Sequence, residues 1–327
     1  LRLASVIAAM SCLPALASAA PTHVLLPVAD VPLPGRATRF DYQSLDPLTG
    51  RLYIAHMGDG KLLVFDTHGR NVVASLPDFP VVTGVRVIPE LHRVLASVTA
   101  NHEVAIVDTG TLKVVERVAD GDFPDGIAFA PAVGKAYVSD ERGGHETVID
   151  MKTNRRVATI DMGGEVGNTQ YDAGSQRILA NVQSRNQLVV IDPGVDAITA
   201  RHPLPGDGPH GLEVVAPERL AFVACEGDGQ LLVVNLDTWK TMQTFSSGHE
   251  PDVLAFDAGL SLLYVGTESN VVSVFRLQKG RLAKLEEVPV GPDAHSIAVD
   301  PATHEVFVPL RNVGGQPVLR IMKPALE

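Results

Sequence analysis

The chain has 327 residues, of which 45% are hydrophobic and 20% charged, and its formal net charge at pH 7 is −11. The apolar content is enough for a sizeable core and excludes wholesale disorder. The acidic balance argues against a nucleic-acid-binding face, which would be basic. Gly and Pro, 29 and 23 in number, are spread along the chain, as is typical of a turn-rich all-β protein.

The first 19 residues predict a targeting segment rather than part of the fold. They combine one arginine, Arg2, with an apolar stretch and end in Ala17-Ser18-Ala19, which fits the small-residue rule for signal-peptide cleavage. We therefore expect a periplasmic or secreted protein, with residues 20–327 as a single mature domain. That domain holds one cysteine, Cys225, and so cannot form an intrachain disulfide. It also lacks an apolar run long enough to cross a membrane as a helix.

The mature chain repeats one pattern seven times. An apolar run ending in Asp recurs at equal intervals, at Asp66, Asp108, Asp150 and Asp192. A second landmark recurs seven times at nearly the same interval; its positions are Asp41, Thr83, Asp125, Gly167, His210, Asp252 and His295. Periods of this length, in the range of about 40–45 residues, indicate propeller blades of four strands each. The sequence therefore predicts an all-β, seven-bladed β-propeller with four antiparallel strands per blade.

The two ends of the chain predict how the ring closes. The seventh copy stops after its third strand, 318–322, and lacks a fourth. The segment 28–35 near the N-terminus resembles the last complete fourth strand, 287–291. We therefore expect the N-terminal strand to complete blade seven and to remove an exposed sheet edge.

The repeats resemble those of YVTN-type propellers. The segments 51–56 (RLYIAH) and 135–140 (KAYVSD) carry the resemblance, each followed by an apolar run that ends in Asp. No copy reads Y-V-T-N itself. The resemblance implies a secreted or periplasmic seven-bladed propeller, in a family whose functions vary widely. WD40 repeats fit the sequence less well, because the single tryptophan, Trp239, is not followed by Asp.

A binding site is expected at one mouth of the central channel. In a propeller the first strand of each blade lines the channel, and the residues entering that strand and leaving the second strand meet at the same mouth. Nine such residues carry suitable side chains: Asp41, Asp125, His210, Asp252 and His295 at the entry, and Glu141, Glu226, Glu268 and Arg311 at the exit. Convergent polar groups in a concave site are the default place for a ligand. We predict that a small molecule or a protein partner binds there.

His210, Asp252 and His295 are the candidate ligands of one divalent metal ion. Imidazole and carboxylate groups bind such ions, but here they come one from each blade rather than from a local metal motif. The competing interpretation is that polar residues merely hydrate the channel. The sequences Pro209-His210-Gly211 and Pro124-Asp125-Gly126 are also sound turns, with glycine supplying the permissive backbone.

Two classes of function remain open, and the sequence favours the first narrowly. The first is an exported binding or interaction module that uses the channel mouth. The second is a metal-dependent hydrolase or lyase, similar in architecture to propeller lactonases and streptogramin-type lyases. In that case His210, Asp252 and His295 would be ligands or base, and Glu226 or Glu268 would assist.

Overall fold

The structure, a computed structural model, describes residues 23–325. The expected signal segment, 1–19, and the predicted domain start at residue 20 lie outside the described residues. Within them the chain forms 28 strands in seven four-stranded antiparallel sheets. No helix of the described part is long and apolar enough to span a membrane.

Each of the first three complete blades follows the order of the chain from the channel outward. An N-terminal strand, β1 (Leu25–Pro32), precedes them. Blade one consists of β2 (Gln43–Asp46), β3 (Arg51–His56), β4 (Lys61–Asp66) and β5 (Asn71–Leu76). Blade two consists of β6 (Val82–Ile88), β7 (Arg93–Val98), β8 (Glu103–Asp108) and β9 (Val114–Ala119). Blade three consists of β10 (Pro124–Ala130), β11 (Lys135–Asp140), β12 (His145–Asp150) and β13 (Arg155–Asp161).

The remaining blades repeat this order, with one exception at the end. Blade four consists of β14 (Val166–Asp172), β15 (Arg177–Val182), β16 (Gln187–Asp192) and β17 (Ala197–Pro203). Blade five consists of β18 (Pro209–Val215), β19 (Leu220–Cys225), β20 (Gln230–Asn235) and β21 (Lys240–Ser246). Blade six consists of β22 (Pro251–Asp257), β23 (Leu262–Thr267), β24 (Val271–Gln278) and β25 (Arg281–Pro289). Blade seven has β26 (Ala298–Asp300), β27 (Glu305–Val313) and β28 (Gln316–Pro324), and β1 is its outermost strand.

Between residues 23 and 325, five single-turn 3₁₀ segments join strands; they are Met57–Asp59, Pro89–Leu91, Thr99–Asn101, Gln183–Arg185 and Ala216–Glu218. The inner strand of each blade contacts the inner strands of both neighbours, including β26 against β2. The predicted seven-bladed propeller is therefore confirmed.

Burial explains why the sequence forms blades. The second and third strands of a blade, such as β3 and β4, are buried on both faces between neighbouring blades, and their residues form nearly continuous apolar runs. The outermost strands, such as β5, alternate between exposed and half-buried residues, as expected at an edge. The core therefore lies between the blades, in apolar clusters that each join two neighbouring sheets.

The N-terminal strand closes the ring as predicted. β1 pairs antiparallel with β28, from Leu25 opposite Pro324 to Pro32 opposite Val318. Nε of Arg320 donates a hydrogen bond of 2.7 Å to Oδ1 of Asp30 across this pair. The strand begins three residues earlier than the predicted segment 28–35 and ends before its last residues. The first and last parts of the described chain are thus held in one sheet.

Candidate functional site

Five of the seven blades have a β-bulge at the channel end of the inner strand, and in three of them the bulge carries a candidate residue: Asp125, His210 or Asp252. In β18 the ladder pairs Pro209 with Cys225 and then Leu212 with Val223, so that two residues between these pairs leave the regular register. The same irregularity occurs in β6, β10, β14 and β22. A bulge turns side chains away from the regular alternation of a strand. This local feature aims His210 and its counterparts at the channel.

Gly211 has a different role from the one its sequence suggests. It lies inside β18, and its backbone is not in the left-handed region that favours glycine in turns. A Cβ atom at this position would lie 1.8 Å from the backbone oxygen of Asp252 in the next blade. The glycine therefore permits close approach of blades five and six next to the channel, rather than a turn.

The structure gathers seven of the nine candidates around one cavity of about 570 Å³. The seven are Asp41, Asp125, Glu141, His210, Glu226, Asp252 and Glu268. Arg39, Arg142 and Glu250 complete the charged lining. The wall thus holds seven carboxyl groups against two guanidinium groups and one imidazole. Such a wall favours a cationic ligand, and ligand binding itself stays a prediction.

His210 lies at the centre of the acidic wall. Its Nε2 atom is 3.4 Å from Oδ1 of Asp252 and 3.9 Å from Oδ2 of Asp125. Its Nδ1 atom is 4.0 Å from Oε1 of Glu226. One ligand atom each from His210, Glu226 and Asp252 can be chosen so that all three lie within 4.8 Å of one another. That is the arrangement required to coordinate a single ion.

Tyr42 forms the floor of the cavity. It enters the channel from blade one, and its hydroxyl donates a hydrogen bond of 2.7 Å to Oδ1 of Asn168 in blade four. The same oxygen lies 3.2 Å from Nε2 of His210 in blade five. Tyr42 also lines a second cavity of about 260 Å³ farther along the channel. Its side chain therefore separates the two halves of the channel.

The acidic wall changes how its members bind protons. Burial by itself lowers the pKa of His210, but nearby carboxylates, Glu226 and Asp252 foremost, outweigh burial and raise this pKa to about 9. Burial raises the pKa of Asp125 well above its usual range, and the neighbouring Asp41 raises it further. Burial also raises the pKa values of Asp41 and Glu226. At neutral pH the cavity holds protons that a bound cation could replace.

His295 does not join the cavity. Its side chain is fully buried, and Nδ1 lies 3.5 Å from Asp293 and 3.9 Å from Glu268. The reason is that β26 begins only at Ala298, so the chain around His295 runs as a loop rather than as a bulged inner strand. The predicted metal set is thereby divided: His210 and Asp252 form one cluster, and His295 belongs to another with Glu268 and Asp293.

Arg311 also stays outside the cavity. β27 continues through Val313 into a longer hairpin with β28, so that position 311 lies within a strand instead of entering the mouth. The Arg311 side chain is 54% exposed, and its Nε lies 3.8 Å from Oδ2 of Asp293. Both departures occur in blade seven, where the repeat is irregular.

Sequence reasoning missed Arg39 and Tyr42. Arg39 donates a hydrogen bond of 2.6 Å from Nη1 to Oε1 of Glu268 and so neutralises part of the wall. A signal for Tyr42 exists in the repeat, since it is the only aromatic residue at its position. The equivalent residues in blades two to seven are Gly84, Gly126, Asn168, Gly211, Val253 and Ser296.

Comparison with known proteins identifies the architecture. No family model and no curated relative matches the sequence. A chain of the mitotic checkpoint complex superposes with a TM-score of 0.79 at 13% identity, over 98% of both chains. The RRP9 WD40 repeats superpose with a TM-score of 0.78 at 12% identity, over 91% of this chain and 99% of theirs. A chain of the hydrazine synthase of Kuenenia stuttgartiensis superposes with a TM-score of 0.72 at 16% identity, over 85% of this chain and 94% of its own.

The fold is a seven-bladed β-propeller. At these identities the likeness concerns the fold alone. WD40 propellers share the architecture although this sequence has no Trp-Asp pair. The fold commonly serves in interaction modules, and the activity of this chain has to be argued from its own residues.

Proposed function

We propose that this chain is an exported YVTN-type propeller that acts as a binding module and holds a divalent metal ion at its channel mouth. The ligands are His210, Glu226 and Asp252. Export is supported by the signal-like segment 1–19, and the YVTN type by repeats such as 51–56. The acidic cavity supports the choice of a cation.

One observation carries the choice of these three residues: their cluster contains no lysine or arginine, and its own positive charge is the proton on His210, which an incoming metal ion can displace. In the part of the chain that the structure describes, no Lys or Arg nitrogen lies within 4 Å of the carboxylates of Glu226 or Asp252. Nδ1 of His210 and Oδ1 of Asp252 are buried and have no hydrogen-bond partner there. Buried polar atoms without partners are costly, and coordination of an ion would satisfy them.

The second acidic cluster contrasts with the first. Arg39 donates to Glu268 at 2.6 Å, and its Nη1 also lies 3.8 Å from Asp293. Arg311 approaches the same Asp293 from the other side at 3.8 Å. Two guanidinium groups already balance this cluster, and they would repel an incoming metal ion. The His210 cluster is therefore the favoured site.

The donor set narrows the class of metal. One imidazole nitrogen and two carboxylate oxygens form a mixed donor set. Such a set suits Mn²⁺, Fe²⁺ or Zn²⁺ better than Ca²⁺, which takes oxygen ligands. Asp125 lies close enough to His210 to act as a further oxygen ligand or to orient the ring.

The metal content of the mature protein tests this proposal. The protein is purified without chelator or affinity tag and analysed by plasma mass spectrometry, before and after incubation with Mn²⁺ and Zn²⁺. We expect about one equivalent of metal, lost in His210→Ala and retained in His249→Ala. His249 is a suitable control because it is on the same face, 75% exposed and outside both clusters. Equal metal content in the two variants would refute the assignment.

A second candidate function, a metal-dependent hydrolase or lyase, is favoured by the position of Tyr42. Its hydroxyl lies 3.2 Å from Nε2 of His210, so a phenol stands beside the proposed metal site. Its proton is donated to Oδ1 of Asn168, and burial raises the pKa of Tyr42 and keeps the phenol protonated. A phenol that turned from Asn168 to a substrate oxygen would stabilise negative charge there beside a Lewis acid, an arrangement suited to opening a lactone or eliminating a leaving group.

Hydrolysis of a panel of lactones by the metal-loaded protein tests the second candidate. A turnover that falls about 100-fold or more in Tyr42→Phe, with metal content unchanged, would support an enzyme. Absence of turnover with metal bound would leave the binding module as the function.

A further inference from the structure

Another large cavity opens between blades one and two, on the face of the propeller opposite to the acidic channel mouth. Its volume is about 780 Å³, and its lining includes Arg51 and Tyr53 of β3 and Thr109 in the turn after β8. Nη1 of Arg51 donates a hydrogen bond of 2.9 Å to the backbone oxygen of Thr109. The hydroxyl of Tyr53 is buried and has no hydrogen-bond partner among the described residues.

The chain contains its own occupied version of this site two repeats later. Lys135 and Tyr137 of β11 stand at the positions of blade three that Arg51 and Tyr53 hold in blade one. Between blades three and four, Oδ2 of Asp196 accepts a hydrogen bond of 2.7 Å from Nζ of Lys135. Its Oδ1 accepts one of 2.5 Å from the hydroxyl of Tyr137. A carboxylate thus fills the space between a basic side chain and a phenol.

The backbone confirms that the two places are equivalent. Nζ of Lys135 lies 3.3 Å from the backbone oxygen of Pro193, which is the counterpart of Thr109 two repeats later. Asp196 is likewise the counterpart of Leu112, and both have left-handed backbone, with φ of 52° and 56°. In the first pair of blades the apolar Leu112 therefore replaces the residue that supplies the carboxylate. The basic and phenolic donors remain, without their anion.

We infer that the cavity between blades one and two binds the carboxylate of a small organic acid, held by Arg51 and Tyr53 as Asp196 is held by Lys135 and Tyr137. The guanidinium group of Arg51 can donate two parallel hydrogen bonds to a carboxylate. Burial raises the pKa of Tyr53, so its hydroxyl stays protonated and able to donate. This site shares no residue with the cavity at the channel mouth and does not depend on the function proposed for it.

Acidic residues around the cavity are compatible with an anionic ligand. Asp66 and Asp108 line it, but Oδ1 of each accepts hydrogen bonds from backbone N–H groups of its own turn, and Oδ2 of Asp108 accepts one of 2.6 Å from Nη1 of Arg93. Their counterparts two repeats later, Asp150 and Asp192, occupy the same kind of turn beside the bound Asp196 carboxylate.

Asp46 is the one acidic residue of the lining that has no acidic counterpart two repeats later, where Ala130 stands. Its Oδ1 accepts a hydrogen bond from the backbone of Leu48, and its Oδ2 accepts one from the hydroxyl of Thr49. Both oxygens are therefore occupied within their own turn.

Fluorine NMR with trifluoroacetate as the probe tests this inference on the full mature protein. Trifluoroacetamide has the same shape without the charge and serves as the ligand control. We expect the protein to broaden the trifluoroacetate signal but not the trifluoroacetamide signal. Arg51→Met should weaken trifluoroacetate binding at least about tenfold, since it removes a charge-assisted hydrogen bond. Arg311→Met, on the opposite face, should leave binding unchanged.

Two further variants exchange the features of the empty cavity at Arg51 and the filled site at Lys135. Leu112→Asp supplies a carboxylate at the backbone position equivalent to that of Asp196 and should exclude the probe, whereas Leu112→Asn should not. Asp196→Ala removes the carboxylate, empties the space between Lys135 and Tyr137 and should add a second binding site. If Leu112→Asp fails to fold, Arg51→Met and Asp196→Ala still decide the question. Equal broadening by the two probes, or unchanged binding in Arg51→Met, would overturn the inference.

Competition identifies what carries the carboxylate. Acetate and trialanine are each titrated against bound trifluoroacetate, with the C-terminal amide of trialanine as a control. Displacement at similar concentrations supports recognition of the carboxylate of a small acid. If trialanine displaces the probe at concentrations about tenfold lower than acetate does, it binds more tightly by about 1.4 kcal/mol. That result would overturn the small acid as the ligand in favour of a peptide C-terminus.

Discussion

The hydroxyl of Tyr42, in blade one, donates a hydrogen bond to Oδ1 of Asn168, in blade four, across the central channel. Neighbouring blades in the ring are joined by packing between their sheets. The two terminal strands, β1 and β28, pair with each other in blade seven. The pair of Tyr42 and Asn168 adds a link across the channel. It also closes the bottom of the acidic cavity, so one side chain serves both stability and the site.

Loss of this link should be measurable as a change in stability. We expect Tyr42→Phe to lower the free energy of unfolding by about 1–2 kcal/mol, because the Asn168 oxygen loses its donor. Tyr42→Ala should cost about 3 kcal/mol, because it also empties the channel. Urea denaturation followed by the fluorescence of the single tryptophan, Trp239, measures both. Tyr171→Phe is the control, and a Tyr42→Phe protein as stable as wild type would contradict the role of the hydroxyl.

The fold could be predicted from the sequence because it depends on a period. The constant spacing of the landmarks fixes the blades, and the missing strand after Met322 together with the segment near Val28 predicts closure. The same period brought seven of the nine candidate residues to one cavity, since every regular blade presents equivalent positions to the same mouth.

The remaining features depend on exceptions to the period. His295 and Arg311 leave the cavity because blade seven has a short inner strand and an extended hairpin. Tyr42 reaches Asn168 because the channel is narrow enough for one phenol to cross it. The spacing of the repeats along the chain does not give the radius of the channel, so this contact could not be predicted. Arg39 precedes the ring positions, so the repeat carries no signal for it.

Gly211 tests how closely blades five and six must approach. We expect Gly211→Ala to lower the free energy of unfolding by about 1–3 kcal/mol, because its Cβ would overlap the backbone oxygen of Asp252. Gly110→Ala is the control, since its nearest contact, with Oδ1 of Asp108, would be an ordinary 3.5 Å. Thermal and urea unfolding of both variants provide the measurement. A Gly211→Ala protein no less stable than Gly110→Ala would show that the blades can separate without cost.

Glu146 should make stability depend on pH in an unusual direction. Its carboxyl group is fully buried, and its oxygens have no hydrogen-bond partner among the described residues. Burial raises its pKa well above the usual 4.5 and outweighs the nearby Thr169 hydroxyl, which lowers it, while Asp120 adds a smaller increase. The folded state therefore binds this proton more tightly than the unfolded state does. This contribution to stability is full below pH 4.5 and declines as the pH rises towards the folded pKa.

Glu146→Gln removes that titration and keeps the shape of the side chain. We expect the variant to gain stability relative to wild type above pH 4.5, by up to about 1.4 kcal/mol per pH unit. Urea denaturation between pH 4 and 8 measures the difference, with the exposed Glu116→Gln as the control. Parallel profiles for wild type and Glu146→Gln would mean that Glu146 does not hold a proton in the folded state.

Ring closure can be tested by shortening the chain. A chain that begins at Gly35 lacks β1 and leaves an edge of β28 unpaired, so we expect it to melt about 5 °C or more below a control chain that begins at His23. It should also aggregate more readily, because an unpaired edge strand can add another chain. Equal melting temperatures would imply that blade seven is stable with three strands.

The location of a bound metal ion tests the central claim most directly. A crystal of the protein soaked in MnCl₂ gives an anomalous difference map in which manganese is identified by its own scattering. The account predicts one strong peak about 2.1 Å from ligand atoms of His210, Glu226 and Asp252. A peak at Glu268, Asp293 and His295 instead, or no peak in the cavity at saturating manganese, would contradict it.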